Sequence, residues 1–297
     1  MEEKTIIDNL IQMYGINDEK AFEIYEKNAE AMLTTGKRKS NDKTLIIVGG
    51  QSGAGKLRLR KLTQKQLPDG IVVDFDELKA LHPSYKTVNE LYPEKTHVIL
   101  HRDTNEVKNR VLDYLIKEGY DVIYEGALRD TKGFVDLARN FKENGYKIKM
   151  NVMAVPKLES FGSTFFRYAF ELLSDRTPRW VEKTAHDASY EGVIRTINEL
   201  KNQGLTSDIG VYVRSIDEPK KIYHTQERQF PEAITAINYG REIGRKKAVQ
   251  DFLPKYNMVK ETLESRQPEL VKRLGDWEEL YNEEVKYFNE IDDMIIK

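Results

Sequence analysis

The stretch Leu45-Ile46-Ile47-Val48-Gly49-Gly50-Gln51-Ser52-Gly53-Ala54-Gly55-Lys56 decides the reading of the fold. Four consecutive apolar residues suit a strand buried on both faces, as in a parallel sheet. Gly50 to Lys56 then follow the Walker A spacing G-x-x-x-x-G-K, directly ahead of a basic helix expected over Lys56 to Lys65. Glycines let successive backbone N–H groups turn inward around phosphate oxygens. The helix behind them adds unpaired amides and the positive end of its dipole. Gly50, Gln51, Ser52, Gly53, Ala54, Gly55 and Lys56 are therefore the candidate nucleotide-binding loop, with Lys56 a point charge for the β- and γ-phosphates. The next position departs from the motif: a Ser or Thr hydroxyl that would ligate Mg²⁺ is replaced by Leu57. Either Mg²⁺ is held by phosphates, water and a carboxylate such as Asp74 or Asp76, or turnover is weakened.

Downstream of the loop, Ile71-Val72-Val73 reads as a second strand ending at Asp74-Phe75-Asp76. In an open α/β sheet the carboxyl ends of strands face the ligand. Asp76 there can take a proton from a substrate hydroxyl, or Asp74 or Asp76 can cap the helix that follows. A helix from about Asn105 to Glu118, a strand Asp121 to Tyr124, a helix Lys132 to Asn144 and a strand Lys149 to Val155 continue the alternation. This pitch predicts an α/β fold, a mostly parallel sheet flanked by helices. Two short strands around Pro219 follow, at 211–213 and 221–223. Upstream, residues 5–34 carry apolar positions at helical spacing, divided at Gly15 and Asn17. Beyond Phe230, helical periodicity with dense mixed charge runs to Lys297, with breaks expected near Pro254 and Pro268.

The composition limits the partners. With 47 basic against 49 acidic residues, the chain has no global basic field for nucleic acid, and nucleic acid is not an expected partner. There is no cysteine, so thiolate metal sites and disulfides are excluded and a reducing compartment fits. The charged amino terminus and the lack of a long apolar run lead to the expectation of a cytoplasmic protein without membrane attachment. The histidines His97, His101 and His224 have no metal-ligand spacing, and no protein metal ligand is assigned.

Four blocks in order give the chain a family resemblance. They are Gly49-Gly50-Gln51-Ser52-Gly53-Ala54-Gly55-Lys56, then Val73-Asp74-Phe75-Asp76 with Leu81-His82-Pro83, then Ile123-Tyr124-Glu125-Gly126-Ala127-Leu128-Arg129. The fourth runs Val152-Met153-Ala154-Val155-Pro156-Lys157 with Glu159-Ser160, Thr164, Arg167-Tyr168, Arg179 and Ala185-His186-Asp187; Ser207-Asp208-Ile209, Val211-Tyr212 and Arg214 extend it. Together they resemble the zeta toxins, P-loop kinases that phosphorylate UDP-N-acetylglucosamine and thereby block peptidoglycan synthesis. The resemblance covers roughly residues 27–225. It leaves residues 1–26 as an N-terminal helical extension and 226–297 as a helical C-terminal appendage.

That resemblance implies roles. Asp76 would be the base on the sugar hydroxyl, and Lys56, Arg167 and Arg179 would stabilise charge on the transferred phosphoryl group. Glu125 and Arg129 would hold the UDP-sugar. Asn109 stands where the family carries a substrate-binding glutamate, and Ala127 where it carries threonine. His82 and His186 match motif positions and read as structural. The implied reaction is transfer of the γ-phosphoryl of ATP or GTP, with Mg²⁺, to a UDP-sugar, by a toxin whose partner would be a separate antitoxin. Two other readings stay open: a P-loop kinase with a different small-molecule acceptor, and a weakly active nucleotide-binding or partner-binding protein.

Overall fold

The computed structural model describes residues 2–92, 95–174, 178–227 and 230–295. Six strands form one sheet: β1 (Thr44–Gly49), β2 (Ile71–Val73), β3 (Val122–Gly126), β4 (Lys147–Met153), β5 (Asp208–Val213) and β6 (Lys220–His224). Their order across the sheet is β2-β3-β1-β4-β5-β6. The pairs β2–β3 and β4–β5 are parallel, and β6 closes the edge antiparallel to β5. The mostly parallel α/β sheet expected from the alternation is what forms. Every residue of β1 is buried, as its unbroken apolar run requires. Strand β3 runs two residues beyond the expected Tyr124 and so takes Glu125 into the sheet.

By its internal contacts the chain divides into two compact units. The first comprises residues 1–46, 64–125 and 141–147, and the second 47–63, 126–140 and 148–297. In the first, the expected amino-terminal helices are Glu2–Tyr14 and Glu19–Thr34, the second capped by Asp18, whose side chain accepts from the Ala21 N–H at 3.0 Å. Tyr25 crosses from the second of these helices to donate its hydroxyl to the Leu78 carbonyl at 2.9 Å. Burial holds that hydroxyl in its protonated form, with its pKa pushed up to about 12. Helices Phe75–Ala80, Tyr85–Leu91, Thr96–Ile99 and His101–Glu118 complete the first unit's helical layer. Within it, buried Asp103 accepts from His82 Nε2 at 3.2 Å, Arg102 Nε at 2.7 Å and the Ile16 N–H at 2.7 Å. Burial alone would raise this carboxyl, but the three donors outweigh it and its pKa falls to about 2. His82 is thus a buried structural partner, as read from the motif.

In the second unit the helices are Lys56–Gln66 as far as Thr63, Lys157–Leu173, Lys183–Asn202, Ala233–Ile243, Arg245–Gln250, Phe252–Arg266 and Gly275–Ile295. Helix Thr131–Glu143 is divided between the units, its residues up to 140 lying in the second. The carboxyl-terminal helices are joined by a 3-10 turn, Pro268–Leu274. The break expected near Pro254 falls at Asp251, between Arg245–Gln250 and Phe252–Arg266. Pro254 lies in the first turn of Phe252–Arg266, where a missing N–H breaks no intrahelical bond. The break at Pro268 also occurs. The expected helix end at Lys297 lies outside the described residues. The tail's apolar face is a core: Phe252, Tyr256, Val259, Leu263, Leu274, Trp277 and Leu280 pack with Leu158, Phe161, Phe165, Tyr168 and Ala169 of helix Lys157–Leu173. Among the described residues no helix is long and apolar enough to cross a membrane.

Candidate functional site

The turn after β1 is built for close approach. Gly53 and Gly55 sit at φ +73° and +93°, in the left-handed region that suits glycine. A Cβ on Gly53 would lie 1.9 Å from the Ser160 carbonyl oxygen, so this position has no room for a side chain. Behind the turn is a buried polar support. Gln51 Nε2 donates to the Val155 carbonyl at 2.8 Å and to Ser160 Oγ at 3.1 Å. Ser160 Oγ also meets His186 Nε2 at 3.0 Å, and His186 Nδ1 lies 3.5 Å from Asp187 Oδ1. Burial drives the His186 pKa down to about 4 against the upward pull of Asp187, so the ring is neutral at pH 7. The sequence Ser-His-Asp invites a hydrolase reading, but Ser160 and His186 are fully buried. They are a prop for the loop, in keeping with the structural reading of His186.

The loop's donors are partly engaged already. The Ser52 N–H donates to Ser189 Oγ at 3.2 Å, and the Ala54 N–H closes a turn on the Gln51 carbonyl at 3.1 Å. Lys56 Nζ donates to the same Gln51 carbonyl at 3.0 Å. This folds the ammonium over the loop, where a phosphate could take it up. Leu57 is 51% exposed at the start of the helix and presents hydrocarbon where the motif presents oxygen. Among the described residues no group of three or more His, Asp or Glu side chains could hold a metal ion. The glycine backbone and the Lys56 ammonium together form a donor set that fits phosphate oxygens.

The first unit presents its own cluster. Val73 of β2 pairs with Tyr124 of β3, so the residues that follow, Asp74 and Glu125, stand at the same level. Asp74 is the N-cap of Phe75–Ala80: its Oδ1 accepts the Asp76 N–H at 2.9 Å. Capping therefore falls to Asp74, and Asp76 stands within the first turn with its side chain 45% exposed. Lys79, only 10% exposed, donates Nζ to Asp76 Oδ1 at 2.8 Å. Glu125 is a strand residue at the end of β3, not a helix cap. Asn109 is exposed on helix His101–Glu118.

The other candidates lie in the second unit. Arg129 is exposed and follows Leu128, a buried non-glycine residue at φ +55°. A Cβ on Gly192 would lie 2.2 Å from the Leu128 carbonyl oxygen, so helix Lys183–Asn202 presses closely on this strained turn. The Arg167 side chain and the Arg179 main chain meet the same carboxylate. Arg167 Nε lies 3.8 Å from Glu171 Oε1, and the Arg179 N–H donates to Glu171 Oε2 at 3.1 Å. Both arginine side chains are exposed. Sequence reasoning passed over Glu171 and Lys79. Each could have been found from helical spacing, four residues after Arg167 and three after Asp76.

The family model described as Zeta toxin matches residues 29–228. The chain belongs to the zeta-toxin family. It is 30% identical to a Toxin zeta of Enterococcus hirae over 237 residues, 79% of this chain and 81% of that protein. It is 30% identical to a Toxin zeta of Streptococcus agalactiae over 260 residues, 86% of this chain and 88% of the relative. Among solved structures, a chain from the PezAT chromosomal toxin-antitoxin system of Streptococcus pneumoniae superposes with a TM-score of 0.70. At 21% identity it covers 84% of this chain and 98% of its own. That last likeness is one of fold, a P-loop kinase-like sheet with flanking helices.

Proposed function

We propose that this zeta-toxin family member transfers the γ-phosphoryl group of ATP or GTP to a hydroxyl of UDP-N-acetylglucosamine or a related UDP-sugar. The observation that carries the reading is the loop Gly50–Lys56. It is placed after a buried strand and at a helix N-terminus, with positive-φ glycines that admit phosphate to the backbone. The nucleotide, with Mg²⁺ on its phosphates, supplies the phosphoryl group. Lys56 binds the β- and γ-phosphates, and Asp76 takes the proton from the acceptor hydroxyl as its oxygen attacks phosphorus. Arg167 and Arg179 offer forked, permanently charged donors to the negative charge that builds on the transferred group. Glu125 and Arg129 orient the sugar nucleotide.

The names of the relatives extend the reading to a cellular role: a toxin restrained by a separate antitoxin protein. Leu57, Asn109 and Ala127 favour one variation, a slower enzyme or one with a different small-molecule acceptor. Incubation with ATP or GTP, Mg²⁺ and a panel of UDP-sugars, read by mass spectrometry, tests the proposal. One added phosphoryl group on UDP-N-acetylglucosamine is the expected product. Nucleotide binding without transfer to any acceptor would replace the kinase reading by that of a binding protein.

A further inference from the structure

Arg214 lies just past the carboxyl end of β5, two residues after Tyr212, which pairs with Met153 of β4. Its guanidinium reaches the phosphate loop through two carbonyl oxygens. Nε donates to the Ala54 carbonyl at 3.3 Å and Nη2 to the Gly53 carbonyl. On its other side Nη1 donates to Glu159 Oε1 at 2.8 Å and to Ser163 Oγ at 3.0 Å, both on helix Lys157–Leu173. One planar group thus ties the loop to the helix whose Ser160 supports it from behind. A second arginine returns the link. Arg58, in the first turn of the helix after the loop, donates to the carbonyls of Ser215 at 3.2 Å and Ile216 at 2.9 Å.

A trans peptide unit is planar, with its C=O and N–H pointing in opposite directions. Holding the Ala54 carbonyl on the guanidinium therefore holds the Gly55 N–H pointing away from Arg214. Glycine at both ends of this pair of peptides would otherwise let either unit rotate at small cost. A flipped peptide would present a carbonyl oxygen to an anion. Side-chain restraint is the remedy open to a loop that must keep glycine for close approach.

We infer that Arg214 is a positioning residue of the phosphate loop, fixing its amides in a phosphate-receiving direction before a ligand arrives. The inference rests on the reading of Gly50–Lys56 as a phosphate site and adds to it the device that preorganises the site. Glu159 and Ser163 orient the guanidinium, so its fork and not its charge alone is what matters.

The test measures dissociation constants for ATP and for inorganic tripolyphosphate, both without added metal, in the intact protein and in Arg214→Ala and Arg214→Lys. Calorimetric titration reads both ligands, and thermal melting of the unliganded variants checks that they fold. Arg214→Ala should weaken both ligands by the same factor, roughly tenfold to a hundredfold, the worth of one or two charge-assisted hydrogen bonds. Arg214→Lys should recover only part of that loss, and it carries the test if the alanine variant does not fold. Unchanged affinity for both ligands would overturn the inference. So would a loss for ATP alone, which would make Arg214 a reader of the nucleobase. An intact protein that binds neither ligand would overturn the phosphate-site reading itself, a result distinct from the other two.

Discussion

At the scale of single residues, the sharpest division of labour is between Asp74 and Asp76. Their order in the chain leaves either free to cap the next helix, and the structure gives the cap to Asp74. This separates the two substitutions. Asp74→Ala should lower stability by about 1 kcal/mol, the usual worth of a capping carboxylate, as read by urea denaturation. Asp76→Asn keeps an acceptor for Lys79 but loses its charge, so it should lower stability modestly and lower phosphoryl transfer by roughly two to four orders of magnitude, the typical contribution of a general base. Transfer surviving within a few-fold would assign the base elsewhere. Leu57 is the other decisive residue, because it stands at the motif position that calls for a Ser or Thr hydroxyl, and its side chain is exposed. Leu57→Thr should restore one inner ligand to Mg²⁺ and so shift the Mg²⁺ dependence of transfer to lower concentration, with metal-free nucleotide affinity unaltered. Identical Mg²⁺ titrations for the two forms would place the metal away from position 57.

At the scale of elements, helix Lys157–Leu173 carries most of the second unit's organisation. One side supplies Ser160, Glu159 and Ser163 to the loop and its arginine. The other receives the carboxyl-terminal helices through Phe161, Phe165 and Tyr168, with Phe165 stacked on Trp277 at 5.4 Å. Gly162 marks the closest approach: a Cβ there would lie 2.3 Å from Trp277 Cζ2. Two effects oppose each other in Gly162→Ala. Alanine is the better helix former by about 1 kcal/mol. Overpacking against a fully buried indole costs typically about 1–3 kcal/mol. The second should win, with a lower urea midpoint and altered tryptophan fluorescence. A more stable alanine variant would mean that the helices slide apart easily.

At the scale of the whole molecule, pH acts through buried groups with displaced pKa values. His186 binds a proton at about pH 4 when folded and near 6.5 when unfolded. Below 6.5 the unfolded state therefore takes up a proton that the folded state refuses. Its share of stability is fully present above 6.5 and is lost progressively down to about 4, about 3 kcal/mol in all. Asp103, lowered to about 2 from 3.8, adds a further loss only below 3.8. The chain has two tryptophans, and Trp180 and Trp277 both pack in the second unit, which also holds His186. Urea unfolding followed by their fluorescence should show stability falling between pH 6.5 and 4. His186→Gln, which cannot titrate, should flatten most of that slope. An unaltered slope would mean that the ring is not the group that titrates.

Patterns that are local in the chain were enough for much of this protein. A run of apolar residues makes β1 because burial on both faces needs nothing more specific. The glycine spacing of 50–56 makes the loop because each glycine solves a backbone problem at its own position. The position of Asp76 after β2 followed from the strand's end alone. What required the folded chain were relations between residues far apart in sequence. Arg214 reaches Gly53 across 161 residues, and nothing in its neighbours marks it as a partner of the loop. The carboxyl-terminal helices read as charged and solvated because most of their surface is. The narrow stripe that fits Trp277 against Gly162 is set by shape complementarity, which no periodicity records. Hydrophobic period and backbone conformation are properties of short segments, whereas orientation of a loop by a distant guanidinium is decided only when tertiary packing brings the two together.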